Sequence, residues 1–162
     1  MSTPSLDRMS QGFTPGSLIG ISDWITVTQE MIDAFGATTL DPDPMHIDPR
    51  WAAANGPFGG TIAFGFLTIA LLTRMFHDAT GQGWDTDPAL AGYNLNYGFD
   101  RLRLVSPIPA GARVRGHFEV ADVRHDDKGR RITAIDCEIE IEDADRPALV
   151  ARWLTAWVPP SA

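Results

Sequence analysis

The hydrophobic positions along this chain follow two rhythms, and the change falls near Gly83. Before it, apolar residues recur with helical spacing. In "SLIGISDWITVTQEMIDAF" a short apolar strand precedes Thr28, which has an amide and an acid close behind it, the signature of a helix N-cap. Met31, Ile32 and Phe35 then form the one-sided stripe of a short amphipathic helix. "DPRWAAAN" reads as a further helical turn or two, with Asp48 as N-cap, Pro49 at the first helical position and Asn55-Gly56-Pro57 as the stop. From about Ala63 to Ala79 the chain is apolar on nearly every side, which marks a buried helix, and Gly81 and Gly83 supply its end. A helix of about 16 residues spans roughly 24 Å.

Beyond Gly83 the period becomes two. "LNYGFDRLRLVSP" places Leu95, Tyr97 and Phe99 on one face and then Leu102 and Leu104 inside, so the phase slips by one near Arg101, which predicts a β-bulge or a strong bend. "GARVRGHFEVADV" alternates through Val114, Phe118 and Val120. "ITAIDCEIEIED" sets Ile135, Cys137, Ile139 and Ile141 against Asp136, Glu138, Glu140 and Glu142, and "ALVARWLTAWV" closes the series. "DDKG" and "EDADRP" carry the residues that turns need. The order is an N-terminal strand, short helices, one long buried helix and about four long antiparallel strands, an α+β domain. Strands of that length beside one buried helix suggest a curved antiparallel sheet wrapped around it, the hot-dog arrangement.

The 162 residues fit one domain, with a flexible segment expected over 1–17, the folded domain over 18–158 and a tail over 159–162. The 44% apolar and 21% charged content is that of an ordinary globular protein. A net charge of −8 speaks against nucleic acid and anionic membrane as partners. The first 18 residues lack an apolar signal core, and "IAFGFLTIALL" is shorter than the roughly 20 residues that a membrane span needs, so a cytoplasmic protein is expected. The single Cys137 leaves no internal disulfide and no cysteine-based zinc pattern.

The ten residues "LDPDPMHIDP" (40–49) carry the candidate chemistry. Pro42 and Pro44 each remove a backbone N–H and push Asp41 and Asp43 toward extended geometry, so a stiff loop rather than a regular helix is expected. A stiff loop holding Asp41 and His46 could be a catalytic site, a metal site or an ornate turn. As a metal loop, Asp41, Asp43, His46 and Asp48 match an EF-hand only superficially, with prolines where that loop flexes, no Gly at its sixth position and no Glu at its twelfth. Asp48 is accounted for as a cap, and Asp43 reads as a loop acid. Trp51, Trp84, Trp153 and Trp157 read as core or interface, and Arg101, Arg103, Arg113 and Arg115 alternate along strands as solvated faces do.

Four stretches, "DPDPMHIDPRWAA", "GPFGGTIAFGFLTIALL", "NLNYGFDRLRLVSPIPAGARVR" and "RPALVARWLTAWV", resemble in order and spacing the MaoC-like dehydratases, which include the (R)-specific enoyl-CoA hydratases, and most of all the branch named for nodulation protein N. The likeness covers roughly residues 20–158. It implies a hot-dog domain that forms a homodimer and hydrates trans-2-enoyl-CoA to (R)-3-hydroxyacyl-CoA. The family's catalytic Asp and His fall on Asp41 and His46, and its backbone oxyanion donor falls on Gly65. The family's His-Gly at the start of the central helix is Phe64-Gly65 here, its Gly before the Asp is Leu40, and its pocket Ser is Thr73. Asn96, Tyr97 and Gly98 are candidates to line the acyl pocket with Phe64 and Thr73, or simply make a strand with a close backbone approach. One of the four arginines is a candidate contact for a CoA phosphate. No cofactor and no metal are expected. A hot-dog acyl-CoA thioesterase and a non-catalytic acyl-thioester-binding subunit are the competing functions.

Overall fold

Thr28 accepts a hydrogen bond from the Met31 N–H at 3.3 Å and starts the first helix, as its position before an amphipathic stripe predicts. The computed structural model describes residues 13–81 and 92–159. Strands β1 (Leu18–Ile21) and β2 (Ile25–Thr26) lead into helices α1 (Gln29–Thr39), α2 (Pro44–Ile47), α3 (Pro49–Asn55) and α4 (Gly65–Thr80). Strands β3 (Tyr93–Leu104), β4 (Arg113–His125), β5 (Arg131–Ile141) and β6 (Leu149–Val158) follow. They form one antiparallel sheet in the order β1-β4-β5-β6-β3, with β2 also on β4.

The central helix keeps the expected length, 16 residues, and ends where Gly81 takes φ 66, a left-handed conformation that glycine adopts without a Cβ penalty. Its inner face buries Leu67, Leu71, Leu72, Met75 and Phe76. Phe76 meets Phe118 of β4 edge-on at 5.4 Å and Trp153 of β6 at 5.5 Å, so one ring ties the helix to two strands. Two glycines set the closeness of this packing. A Cβ on Gly116 would stand 3.0 Å from Cβ of Met75, and one on Gly20 would stand 2.5 Å from the Ala79 carbonyl oxygen. The sheet therefore curls over α4, which is the hot-dog arrangement. Phe118, 1% exposed, sits at the centre. Truncation of such a side chain to alanine costs about 3–5 kcal/mol. Cys137 lies in the same core, and burial pushes its thiol up to about 12, so it stays protonated.

The strand pattern holds on β4 and β5, where Val114, Phe118, Val120, Ile135, Cys137, Ile139 and Ile141 are all buried. On β3 it holds only in part. Two register shifts against β6 are found, at Asn96/Gly98 and at Phe99/Arg101, where one near Arg101 was expected. Leu104, expected inside, is 50% exposed, and Tyr97 is 50% exposed. β3 is an edge strand, and among the described residues no strand pairs with its outer side. The central helix also departs from its reading as buried on nearly every side. Phe66, Ala70, Thr73 and Arg74 form an exposed stripe, with Phe66 78% exposed.

Arg101, Arg113 and Arg115 are paired rather than merely solvated. Arg152 grips Asp136 through Nε at 2.9 Å and Nη2 at 2.7 Å, with Arg101 3.6 Å away on the same carboxylate. Arg115 and Arg113 bond Glu140 and Glu142 at 2.7 and 2.6 Å, and both guanidiniums lie over Trp24. Trp153 is in the core, whereas Trp51 is 40% exposed; Trp84 lies outside the described residues. So do residues 1–12 of the N-terminal segment, and Gly16 and Ser17 bond to Val120 on β4. Among the described residues no helix is long and apolar enough to cross a membrane.

Candidate active site

The 40–49 stretch is not wholly non-helical. Pro44 begins a single turn, α2, because a proline at the first helical position gives up an N–H that has no helical partner anyway. Asp43 caps that turn by accepting from the Met45 N–H at 2.9 Å, which gives this acid a structural role beyond that of a loop acid. Asp48 caps α3 by accepting from the N–H groups of Arg50 and Trp51 at 3.0 and 2.9 Å, as expected. Asp41 stands ahead of the turn, and its Oδ1 accepts the Asp43 N–H at 3.1 Å across Pro42. This Asx link holds the carboxylate of an otherwise exposed residue.

His46 lies on α2 and is only 9% exposed. Its Nδ1 is 2.7 Å from the carbonyl oxygen of Ile62. A carbonyl can only accept, so a neutral His46 carries its proton on Nδ1 and keeps the Nε2 lone pair free for a proton. The Ile62 N–H in turn reaches back to the Met45 carbonyl at 3.4 Å. The imidazole packs on Phe64 with ring centroids 4.0 Å apart, and Phe64 packs on Phe35 at 5.3 Å.

Gly36 is the point on which these parts converge. A Cβ there would stand 3.1 Å from the Asp41 carbonyl oxygen, from Cγ2 of Ile47 and from Cζ of Phe64 alike. The absent side chain lets the Asp41 loop and the Phe64 ring close on α1. A cleft of about 470 Å³ opens beside them, lined by Asp33, Gly36, Ala37, Leu40, Asp41, Pro42 and Ile47. Leu40 borders it in the left-handed conformation, φ 59 and ψ 31.

Phe64 is also the N-cap residue of α4 and supplies no capping side chain. The first turn of the helix, starting at Gly65, therefore presents N–H groups and the positive end of the helix dipole next to the residue that holds His46. The structure thus brings His46, Phe64 and Gly65 into one cluster, with Asp41 joined to it through Gly36. The other residues singled out from the sequence have different neighbours. Asn96 Oδ1 accepts from Trp153 Nε1 at 2.8 Å, the Tyr97 ring lies 5.3 Å from the Arg130 guanidinium carbon, and Gly98 has φ 143. Thr73 is on the exposed stripe of α4. A larger depression of about 930 Å³ is lined by Arg101, Arg103, His117, Asp136 and Glu138 among others, but contains neither Asp41 nor His46.

The family described as "MaoC like domain" matches residues 11–140. The chain belongs to the MaoC-like dehydratase family. It is 42% identical over 139 residues to nodulation protein N of Rhizobium meliloti, covering 86% of this chain and 83% of that one. It is 38% identical over 144 residues to 3-hydroxyacyl-thioester dehydratase Z of Mycobacterium tuberculosis, covering 88% of this chain and 90% of that one. The solved (R)-hydratase from A. caviae involved in PHA biosynthesis shares the fold, with a TM-score of 0.70 at 20% identity over 90% of this chain and 97% of that one. At the position where the resemblance expects a histidine, Phe64 supplies a ring against His46 rather than a polar group.

Some of the site was not visible in the sequence. Gln29 was read only as part of a cap signature, yet its amide reaches the His46 carbonyl. Ile62 gave no sign of orienting the imidazole, since its part is played by its backbone alone.

Proposed function

We propose that this MaoC-like protein is a hydratase/dehydratase that interconverts trans-2-enoyl-CoA and (R)-3-hydroxyacyl-CoA by syn addition of water. The observation that carries the proposal is the Nδ1–Ile62 bond, which leaves Nε2 of His46 able to take up a proton near the uncapped start of α4. Asp41 and His46 hold one water and share one proton. As the water oxygen bonds to C3, one member of the pair takes a proton from it while the other gives its proton to C2. The pair ends with one proton, on the opposite partner. Both transfers come from one side of the double bond, which makes the addition syn. Charge that gathers on the thioester oxygen is met by the Gly65 N–H and the helix dipole. Phe64, Thr73, Asn96, Tyr97 and Gly98 are assigned to the substrate pocket.

The working unit in this proposal is a homodimer joined edge to edge. Support comes from the outer side of β3, unpaired among the described residues, and from the exposed Phe66, Tyr97 and Leu104, 78%, 50% and 50% accessible in the single chain. Sedimentation showing only monomer at micromolar concentration would overturn this part.

The test of the activity is loss of the enoyl-thioester absorbance with crotonyl-CoA, followed by chiral analysis of the product. The expected product is the (R)-3-hydroxy thioester. Release of free CoA from a saturated acyl-CoA, without hydration, would instead make the protein a thioesterase.

A further inference from the structure

Gln29 opens α1, half-buried, and its amide links α1 to both the His46 turn and the Thr61 segment. Its Nε2 donates to the His46 carbonyl at 2.8 Å and to Asp33 Oδ1 at 2.8 Å. Its Oε1 accepts from the Thr61 hydroxyl at 2.5 Å. The orientation of this amide follows from its partners. A carbonyl and a carboxylate can only accept, so a flipped amide would set Oε1 against two other acceptors. Thr61 is 7% exposed and adjoins Ile62, whose carbonyl holds the imidazole.

These contacts close a ring. It runs from the His46 carbonyl through the Gln29 amide to the Thr61 hydroxyl, along the chain to the Ile62 carbonyl, and back through Nδ1–H to His46. The ring is anchored to the loop before β4, because Ala110 N–H donates to the Thr61 carbonyl at 3.0 Å and Ala63 N–H donates to the Ile108 carbonyl at 2.8 Å. The backbone of His46 is thus tied to one side of the Thr61–Ile62 segment and its ring to the other.

We infer that Gln29 is the positioning residue of this site: together with Thr61 it fixes the angle and the tautomer at which His46 presents Nε2. The inference rests on the proposal that His46 transfers protons. Gln29 touches no substrate. It acts by keeping the Ile62 carbonyl within reach of Nδ1 while the carbonyl of His46 is held still. A group presented about 1 Å out of place loses on the order of 100-fold in rate.

The test uses Gln29→Met, which keeps length and loses the amide, together with Thr61→Val and Thr61→Ser. Imidazole ¹⁵N spectra of the unliganded protein should show His46 as a single Nδ1–H tautomer, becoming a mixture in Gln29→Met and Thr61→Val. With crotonyl-CoA both variants should lose about 10- to 100-fold in kcat with little change in KM. Combining them should cost no more than the worse one, because they act through one ring. Thr61→Ser, which keeps the hydroxyl, should restore the tautomer and most of the kcat lost in Thr61→Val. An Nδ1–H tautomer and a kcat within about twofold of the parent in Gln29→Met, a smaller loss than any misplaced group would give, would overturn the inference. So would a Gln29→Met or Thr61→Val loss that follows the melting temperature and leaves the tautomer untouched. If the parent hydrates no enoyl thioester, the hydratase proposal fails instead, and the spectra alone decide the role of Gln29.

Discussion

Leu104 closes over Gly65, so that a Cβ added to the glycine would overlap Cδ1 of the leucine. The end of β3 therefore packs against the start of α4. Gly65→Val must displace Leu104, a half-exposed side chain able to swing away, so only a modest fall in melting temperature is expected. The valine keeps the N–H but stands between it and the thioester, so turnover should fall by about 10²–10³-fold, as much as losing one oxyanion donor. Adding Leu104→Ala relieves the overlap. Hydration that returns to parental levels in the double variant would trace the loss to packing and remove the oxyanion assignment.

Asp41 and His46 are expected to act as a unit. Asp41→Asn and His46→Gln keep size and much of the hydrogen bonding while removing proton transfer. Each should lower kcat by on the order of 10²–10⁴-fold. The double variant should be little worse than the poorer single one. Binding of a saturated acyl-CoA, measured by calorimetry, should survive in all three. Near-native hydration by either single variant would make the 41–48 segment structural.

Leu40 is 87% exposed at φ 59, so it pays the left-handed strain without burying its side chain. The strain for a residue with a Cβ is about 1–2 kcal/mol. Glycine relieves it and gives back about 0.4–1 kcal/mol through the freer unfolded chain. Leu40→Gly should therefore be more stable by about 0.5–1 kcal/mol in urea unfolding. A drop in stability would show that Leu40 contributes contacts outside the single chain.

Asp136 and Glu140 titrate low in the folded protein, Asp136 because Arg152 hydrogen-bonds its carboxylate and Glu140 because Arg115 and His117 share its oxygen. A lowered carboxylate contributes stability that is present above the unfolded pKa and lost as pH falls through the folded one. Both pairs are substantially exposed, so the effect is small. Arg152→Met should lower the melting temperature near neutral pH, and the difference should vanish once Asp136 is protonated. A pH-independent difference in melting temperature would assign the Arg152 effect to packing.

Much of the fold was legible because it depends on local rules. Thr28 and Asp48 cap where a side-chain oxygen precedes an amphipathic run, and Gly81 ends α4 because only the loss of Cβ makes φ 66 easy. The alternation from Val114 to Ile141 reports burial directly, since one face of a strand must meet the helix. The α2 turn was missed because two prolines read as breakers, although one of them stands at the single helical position that tolerates it.

By itself the sequence determined most of the elements, an antiparallel sheet with one central helix, and the presence of an aspartate and a histidine on a constrained segment. Each of these follows from periodicity, capping and proline stereochemistry within a few residues. Only the tertiary structure decided that Leu104 stays half exposed at a sheet edge, that Gly36 draws Asp41 and Phe64 together, and that His46 shows Nε2 rather than Nδ1. The presentation of His46 depends on partners 16 or more residues away, the Ile62 carbonyl and the Gln29 amide. Backbone carbonyls and a single amide leave no pattern along a chain, because every residue carries the same backbone groups, and only folding chooses which of them meet.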